Sequence, residues 1–157
     1  MHDNVSMDGF DLKLLAALQE DGRLANHELA ERIGLSASQC SRRRLRLEET
    51  GIIRRYVAEL DAPRLGFAIT AFINVTLATH SRDNSRRLKE LVVREPAVRE
   101  AHSLAGTMDY LIKVTVADLK ALSAFINDTL LPHESVSHVQ SSIVLDTLKE
   151  GGGVALP

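Results

Sequence analysis

Two short amphipathic segments, separated by only a few residues around Gly34, limit most strongly what this chain can fold into. The stretch 25–36, ANHELAERIGLS, sets its apolar residues on one helical face and ends near a glycine, a typical helix stop. Ser36 can then cap a further helix over 37–49. Two helices joined so closely have the spacing of a helix-turn-helix motif.

Another helix is predicted ahead of this pair. In the stretch 7–21 the apolar residues recur at helical spacing, and Asp8 or Asp11 stands near the start, where acidic residues favour helix initiation. Asn26 is the expected N-cap of the helix that follows. The N-terminal third is therefore predicted to be a three-helix unit.

The helix predicted over 37–49 carries four arginines within five positions. Over residues 36–55 six arginines stand against two glutamates, whereas the 157-residue chain has a formal net charge of −2. Such a local cationic surface indicates an anionic partner, and a helix of roughly 20 Å fits a DNA major groove. The alternative is a solvated face that is merely basic, which the helix-turn-helix placement disfavours.

The stretch 51–60, GIIRRYVAEL, is predicted to be a strand with two arginines at its base, as in a winged variant of the motif. DNA contacts are therefore predicted at nine residues: Ser36, Ser38, Gln39, Ser41, Arg42, Arg43, Arg46, Arg54 and Arg55.

These residues carry a resemblance to a known family. The stretch from 11 to 61, with "ELAERIGLS" and "RLEETGII" in it, resembles the DNA-binding half of the Lrp/AsnC (leucine-responsive/asparagine, or feast/famine) transcriptional regulators. Members of that family usually have an apolar residue where Arg44 stands, and here the neighbouring Leu45 is apolar instead. Either Arg44 runs along the edge of the core or the helix is slightly rotated.

The rest of the chain alternates strand and helix patterns. Strands are predicted over 68–78, 98–106, 109–117 and 136–150, with a tight turn at 106–108, and helices over 83–95 and 118–131. This βαββαβ order is ferredoxin-like, with two helices on one face of the sheet. The other face has nothing in this chain to cover it, so self-association through the sheet is expected.

The resemblance extends to this half, which is similar to the family's amino-acid-sensing domain. It implies dimers that assemble into tetramers or octamers, with an effector bound between dimers. The residues expected to bind the effector lie in the turn "AGTMDYL" and the last strand: Gly106, Thr107, Asp109, Tyr110, Ser141 and Ser142. Asp109 can accept from an ammonium group, while turn amides and the serine hydroxyls hold a carboxylate. The alternative is an ordinary hairpin whose aspartate stabilises its own backbone.

Other classes of protein are disfavoured by what the sequence lacks. The single cysteine, Cys40, excludes a disulfide within one chain and is expected in the core, and the histidines lack metal-ligand spacing. No catalytic constellation stands out, so an enzyme is not expected, and neither is a cofactor. The polar start, Met1–Met7, is unlike a signal peptide, and no apolar run approaches the ~18–20 residues of a membrane span, so a cytoplasmic protein is expected.

The sequence thus predicts an α+β chain in four parts. They are a winged helix-turn-helix domain over 1–60, a linker over 61–67, a ferredoxin-like domain over 68–150 and a flexible tail over 151–157. The predicted function is that of a sequence-specific DNA-binding regulator which responds to an amino acid. The alternative is a nucleoid-type architectural protein with little or no effector response.

Overall fold

The computed structural model describes residues 6–151 and 153–157; residues 1–5 of the predicted first domain and 152 of the predicted tail lie outside this description. The chain divides into two compact units. One unit ends at Glu59 and also takes in the segment from Lys149 onward, and the other is Leu60–Leu148.

The first unit contains three helices, α1 (Gly9–Glu20), α2 (Asn26–Ile33) and α3 (Ala37–Glu49). Helix α1 begins with a capping box: the Asp8 carboxylate accepts from the amides of Phe10 and Asp11, and the Asp11 carboxylate accepts from the Asp8 amide. Both acids near its start are therefore used to satisfy amides that the first turn leaves without helical partners.

Helix α2 begins at the residue predicted to cap it, one position earlier than expected. Ala25 occupies the N-cap position, and the Glu28 carboxylate accepts from the Ala25 amide at 2.7 Å, so Asn26 is the first helical residue instead of the cap. Gly34 then adopts φ 76°, a left-handed conformation that ends the helix and that glycine adopts without steric cost. Ser36 caps α3 as predicted, accepting from the Gln39 amide.

The apolar faces of the three helices meet in one core. Leu14 of α1, Leu29 of α2 and Leu47 of α3 are fully buried there. Cys40 is also fully buried, which confirms its assignment to the core, and burial raises the pKa of its thiol. Because Cys40 and Leu47 point into this core, the opposite side of α3 faces away from it.

The prediction of a strand over 51–60 is wrong for the described chain. The segment after α3 bends at residues 52–53 and then continues without regular structure to residue 60. A strand needs a neighbour for its backbone amides and carbonyls, and no described segment of this chain supplies one here. The wing is accordingly absent from the described single chain.

Near its start the second unit has a short 3₁₀ turn at Pro63–Leu65. Its elements are β1 (Ile69–Leu77), α4 (Arg82–Arg94), β2 (Val98–Ser103), β3 (Tyr110–Val116), α5 (Leu119–Ala124) and β4 (Val136–Ile143). Helix α5 continues as a wider π-helical stretch, Phe125–Leu130. The strands form one antiparallel sheet in the order β2-β3-β1-β4, which confirms the predicted βαββαβ arrangement.

The two faces of this sheet differ in what covers them. Alternate residues of β1 and β3, such as Ile73 and its partner Ile112, are fully buried against Leu88 of α4 and Leu122 of α5. On the other face Phe72 keeps 37% of its surface exposed. The residues of this open face alternate along each strand with those of the core.

Two strand ends differ from prediction. β2 stops at Ser103 and β3 starts at Tyr110, so residues 104–109 form a six-residue connection in place of a tight turn. Strand β4 ends at Ile143, whereas the predicted strand continued to residue 150. The Val144 amide still donates to the Thr70 carbonyl of β1, but beyond this bond no described strand is left for β4 to pair with.

The segment predicted to be a flexible tail makes contacts with the first unit. Leu156 is half-buried against the core of α1, α2 and α3, and the Gln19 side-chain amide donates to the Val154 carbonyl at 3.3 Å. None of the helices in the described residues combines the length and apolar character needed to cross a bilayer.

Candidate DNA-binding helix and effector site

The first turn of α3 presents small polar side chains. Gln39 occupies the third helical position, where its side-chain oxygen accepts from the Ser36 amide at 2.9 Å, so this carbonyl is committed to the helix cap. Ser38 and Ser41 are exposed. Ser38 shares a hydrogen bond with Ser36, Oγ to Oγ at 3.1 Å, so the hydroxyl of Ser41 is the more available of the two.

Arg43 and Arg46 turn toward the start of α1. The Arg43 Nη1 donates to Asp8 at 2.9 Å and to Asp11 Oδ1 at 2.8 Å. Arg46 donates through Nη2 to the other oxygen, Asp11 Oδ2. Two of the arginines that the sequence assigned to DNA thus have carboxylate partners within the protein.

The electrostatics of this cluster favour its ionised form. Burial of Asp11, only 1% exposed, acts to raise its pKa, but the Asp8 amide and the two guanidinium groups outweigh it, and the pKa lies below its usual value. The Asp11 amide likewise lowers the pKa of Asp8, and the two carboxylates raise that of Arg43. Since a carboxyl with a depressed folded-state pKa stabilises the fold above its unfolded pKa, this contribution is lost only as the pH falls through the acid range.

Arg44 lies along the edge of the core, the first of the two arrangements that the sequence left open. Its guanidinium is 4.6 Å from the centre of the Tyr56 ring, and its Nε donates to the Tyr56 hydroxyl at 2.8 Å. The same side chain donates to the Leu24 carbonyl and to Glu48. Arg44 therefore links α3 to the segment that follows it, and its charged group reaches polar partners at the rim of the core.

Arg42, Arg54 and Arg55 are exposed. Arg42 belongs to α3, whereas the other two lie in the irregular segment that replaces the predicted strand. Five of the nine predicted residues have side-chain hydrogen-bond partners in the protein. They are Ser36, Ser38, Gln39, Arg43 and Arg46, and all of them except Arg43 are exposed.

In the second unit, Asp109 anchors the loop 104–109 to the end of β1. Its Oδ2 accepts from the Leu77 amide at 2.8 Å, and its Oδ1 lies 2.8 Å from His80 Nε2. The Leu77 amide, with a smaller contribution from His80, holds the pKa of this carboxyl below its usual value. Both oxygens thus already have partners, as in the alternative in which the aspartate stabilises its own loop.

Ser141 and Ser142 lie on opposite faces of the sheet. Ser141 pairs with Ile73, on the face that the helices cover, whereas Ser142 pairs with Phe72, on the open face. Successive residues of a strand alternate between faces, so the two hydroxyls cannot point into one pocket. The prediction that both serines hold the same carboxylate is therefore wrong.

A concavity of about 420 Å³ lies beside the loop 104–109 on the open face. Its walls are Gly106 and Thr107 with neighbouring loop residues, and the amide side chains of Asn74 and Gln140. Asn74 and Gln140 face each other across β1 and β4. The sequence analysis missed both, although their alternation with the buried residues of their strands marks the open face.

The other predicted effector residues face a different depression. Asp109 and Tyr110 line a second concavity with His80 and Arg82, near the start of α4. His80 was also missed, because its approach to Asp109 depends on how β1 and β3 pair. The six predicted residues therefore do not form a single cluster.

Two family models match this chain. The model for the AsnC-type helix-turn-helix domain matches residues 7–48, and the model for the Lrp/AsnC ligand binding domain matches residues 70–154. Together they span both units described above.

Known proteins similar to this chain cover nearly all of it. A leucine-responsive regulatory protein of Rhizobium meliloti is 38% identical over 93% of this chain and 94% of its own length. A Bkd operon transcriptional regulator of Pseudomonas aeruginosa is 38% identical over 90% and 93%. The solved structure of a transcriptional regulator from Neisseria meningitidis in complex with L-Met has a TM-score of 0.92 and 39% identity, over 96% of this chain and 97% of that one.

Proposed function

Since this chain belongs to the Lrp/AsnC family of transcriptional regulators, we propose that α3 is its DNA-reading helix and that the second unit binds an amino acid which modulates DNA binding. The observation that carries the DNA part is the placement of α3: it follows a three-residue turn after α2 and exposes Ser38, Ser41 and Arg42. Its relatives are regulators, and we assign no catalytic step to this chain.

Arg42→Gln is expected to weaken DNA binding and to lower its salt dependence. An exposed arginine on α3 is suited to a phosphate or a guanine edge, and loss of a phosphate contact reduces the slope of log K against log salt by about 0.9 per subunit. The measurement is an electrophoretic titration on the protein's own promoter at several salt concentrations.

The matched control is Arg94→Gln, an exposed arginine in the last turn of α4. It makes the same change of charge outside the first unit and should leave the slope as in wild type. Equal slopes for the Arg42 and Arg94 variants would contradict the assignment of Arg42 to DNA.

The effector part of the proposal rests on the loop 104–109. The open-face concavity beside it offers neutral amide groups at Asn74 and Gln140 and glycine backbone at Gly106, which suit the carboxylate and ammonium groups of a free amino acid. Its volume lies in the range of small-molecule sites. The L-Met bound by the Neisseria relative supports this class of ligand. In this proposal Asp109 acts by holding the loop, instead of by contacting the ammonium group as the sequence suggested.

The architectural alternative differs in one measurable way. A regulator that senses an amino acid changes its DNA affinity when that amino acid is present, whereas an architectural protein does not. DNA titrations with each of the twenty amino acids therefore decide between them. A thermal-shift screen first selects ligands, because a ligand that binds the folded state raises the unfolding midpoint.

We also expect the protein to associate through the open face of its sheet, giving at least a dimer, with a tetramer or octamer as the further assembly. Light scattering should return at least twice the chain mass of 17.3 kDa. Phe72→Glu places a charge in the middle of that face and should lower the mass, whereas Leu119→Glu, an exposed apolar residue at the start of α5, should not. A monomer mass for the wild type would refute this expectation.

A further inference from the structure

The contact between the start of α1 and the middle of α3 bears on which arginines reach DNA. We propose that Asp8 and Asp11 act as positioning residues that withhold Arg43 from DNA, so that Arg42 is presented in its place. The proposal rests on α3 being the DNA-reading helix, which the Arg42→Gln titration tests separately.

The geometry commits the Arg43 guanidinium to both carboxylates. Each oxygen of Asp11 accepts from a different arginine, and Oδ2 also accepts from the Asp8 amide at 3.0 Å. The Arg43 guanidinium is further held 5.7 Å from the centre of the Phe10 ring. The Arg43 side chain is only 21% exposed, whereas that of Arg46 is 44% exposed and lies one turn from Arg42 on the same side of α3, so the restraint applies to Arg43.

The charges within this cluster also cancel. Asp8 and Asp11 balance Arg43 and Arg46, and Glu48 accepts from Arg44. The arginine-rich sequence of α3 therefore presents much less positive potential to DNA than its composition indicates. Arg42 is the member of the block for which the described residues show no such carboxylate partner.

The two carboxylates can be separated by experiment because they differ in exposure. The Asp8 side chain is 53% exposed and Arg43 is shared between it and Asp11, whereas Asp11 is buried. Asn is as good an N-cap as Asp, so Asp8→Asn removes a charge from the cluster while keeping the cap of α1.

The test measures the salt dependence of binding to duplex DNA of unrelated sequence. Asp8→Asn gives the cluster a net positive charge, so the affinity should rise and the slope of log K against log salt should steepen, by up to about 0.9 per subunit. Asp146→Asn, the same charge change at an exposed position of the second unit, is the matched control. If the two variants behave alike, Asp8 does not restrain Arg43 and the proposal is overturned.

A second pair of variants tests the arginines themselves. Arg43→Gln should lower the unfolding midpoint but leave the salt slope as in wild type, whereas Arg42→Gln should reduce the slope. The slope is a readout that a purely structural role does not change, provided that circular dichroism shows the Arg43 variant to be folded at the titration temperature. An equal reduction of the slope in both variants would place Arg43 on a phosphate and overturn the proposal. If Arg43→Gln does not fold, Asp8→Asn alone decides.

Discussion

Leu47→Ala is expected to lower the free energy of unfolding of the first unit by about 2–5 kcal/mol. The Leu47 side chain is fully buried where α3 packs against α1 and α2, and its carbonyl accepts from the Ile53 amide at 2.9 Å. Truncation removes buried methyl groups and leaves a cavity. Since small domains are stable by roughly 5–15 kcal/mol, this loss is a large fraction of the stability of the DNA-binding unit.

Leu45→Ala is the matched control on the same helix. Leu45 is 54% exposed, and a position two residues away on a helix points to nearly the opposite side. We expect a change within about 0.5 kcal/mol. Thermal unfolding followed by circular dichroism checks both variants, and equal midpoint shifts would show that α3 is rotated from the orientation described here.

Asp109→Ala is expected to abolish the effect of an amino acid on DNA affinity. Couplings of this type are typically about 1–3 kcal/mol, or 5–150-fold in affinity, and the mutant should lose that whole factor. The reason is positional: without the carboxylate, the Leu77 amide and His80 lose their partner, and the loop 104–109 is no longer tied to β1. Without an amino acid, the DNA affinity should stay close to that of wild type.

The control for this variant is Asp118→Ala. Asp118 also accepts from a backbone amide, that of Ala121, but it does so at the start of α5. Its loss weakens the second unit without changing the loop 104–109. The measurement is a set of DNA titrations with and without the best ligand from the thermal-shift screen. Retention of the full ligand effect in the Asp109 variant, or its loss in both variants, would contradict a specific role for this residue.

Local sequence was enough to predict the elements that depend on local interactions. Ser36 caps the start of α3, and Gly34 ends α2 in a left-handed conformation. Both features involve only neighbouring residues. The alternation of apolar residues in β1 likewise depends only on the strand itself. The helix-turn-helix and the βαββαβ order could therefore be predicted.

Features that depend on packing between distant segments could not be predicted in the same way. The pairing of Arg43 with Asp11 requires α1 to lie against α3, and nothing in the local pattern distinguishes Arg43 from Arg42. The faces of Ser141 and Ser142 follow from alternation along β4, but which face is covered depends on the helices. The strand expected over 51–60 had the right residue types but, among the described residues, no partner.

The last residues of the chain belong to the first unit, so only the second unit is one continuous stretch of sequence. The chain leaves the first unit at Glu59 and rejoins it from Lys149, so the second unit is, in chain order, an insertion within the first. The sensory half is one contiguous stretch that can be excised whole. The DNA-binding half is not contiguous. A fragment that stops after residue 60 lacks Leu156 and leaves exposed the part of the helical core against which Leu156 packs.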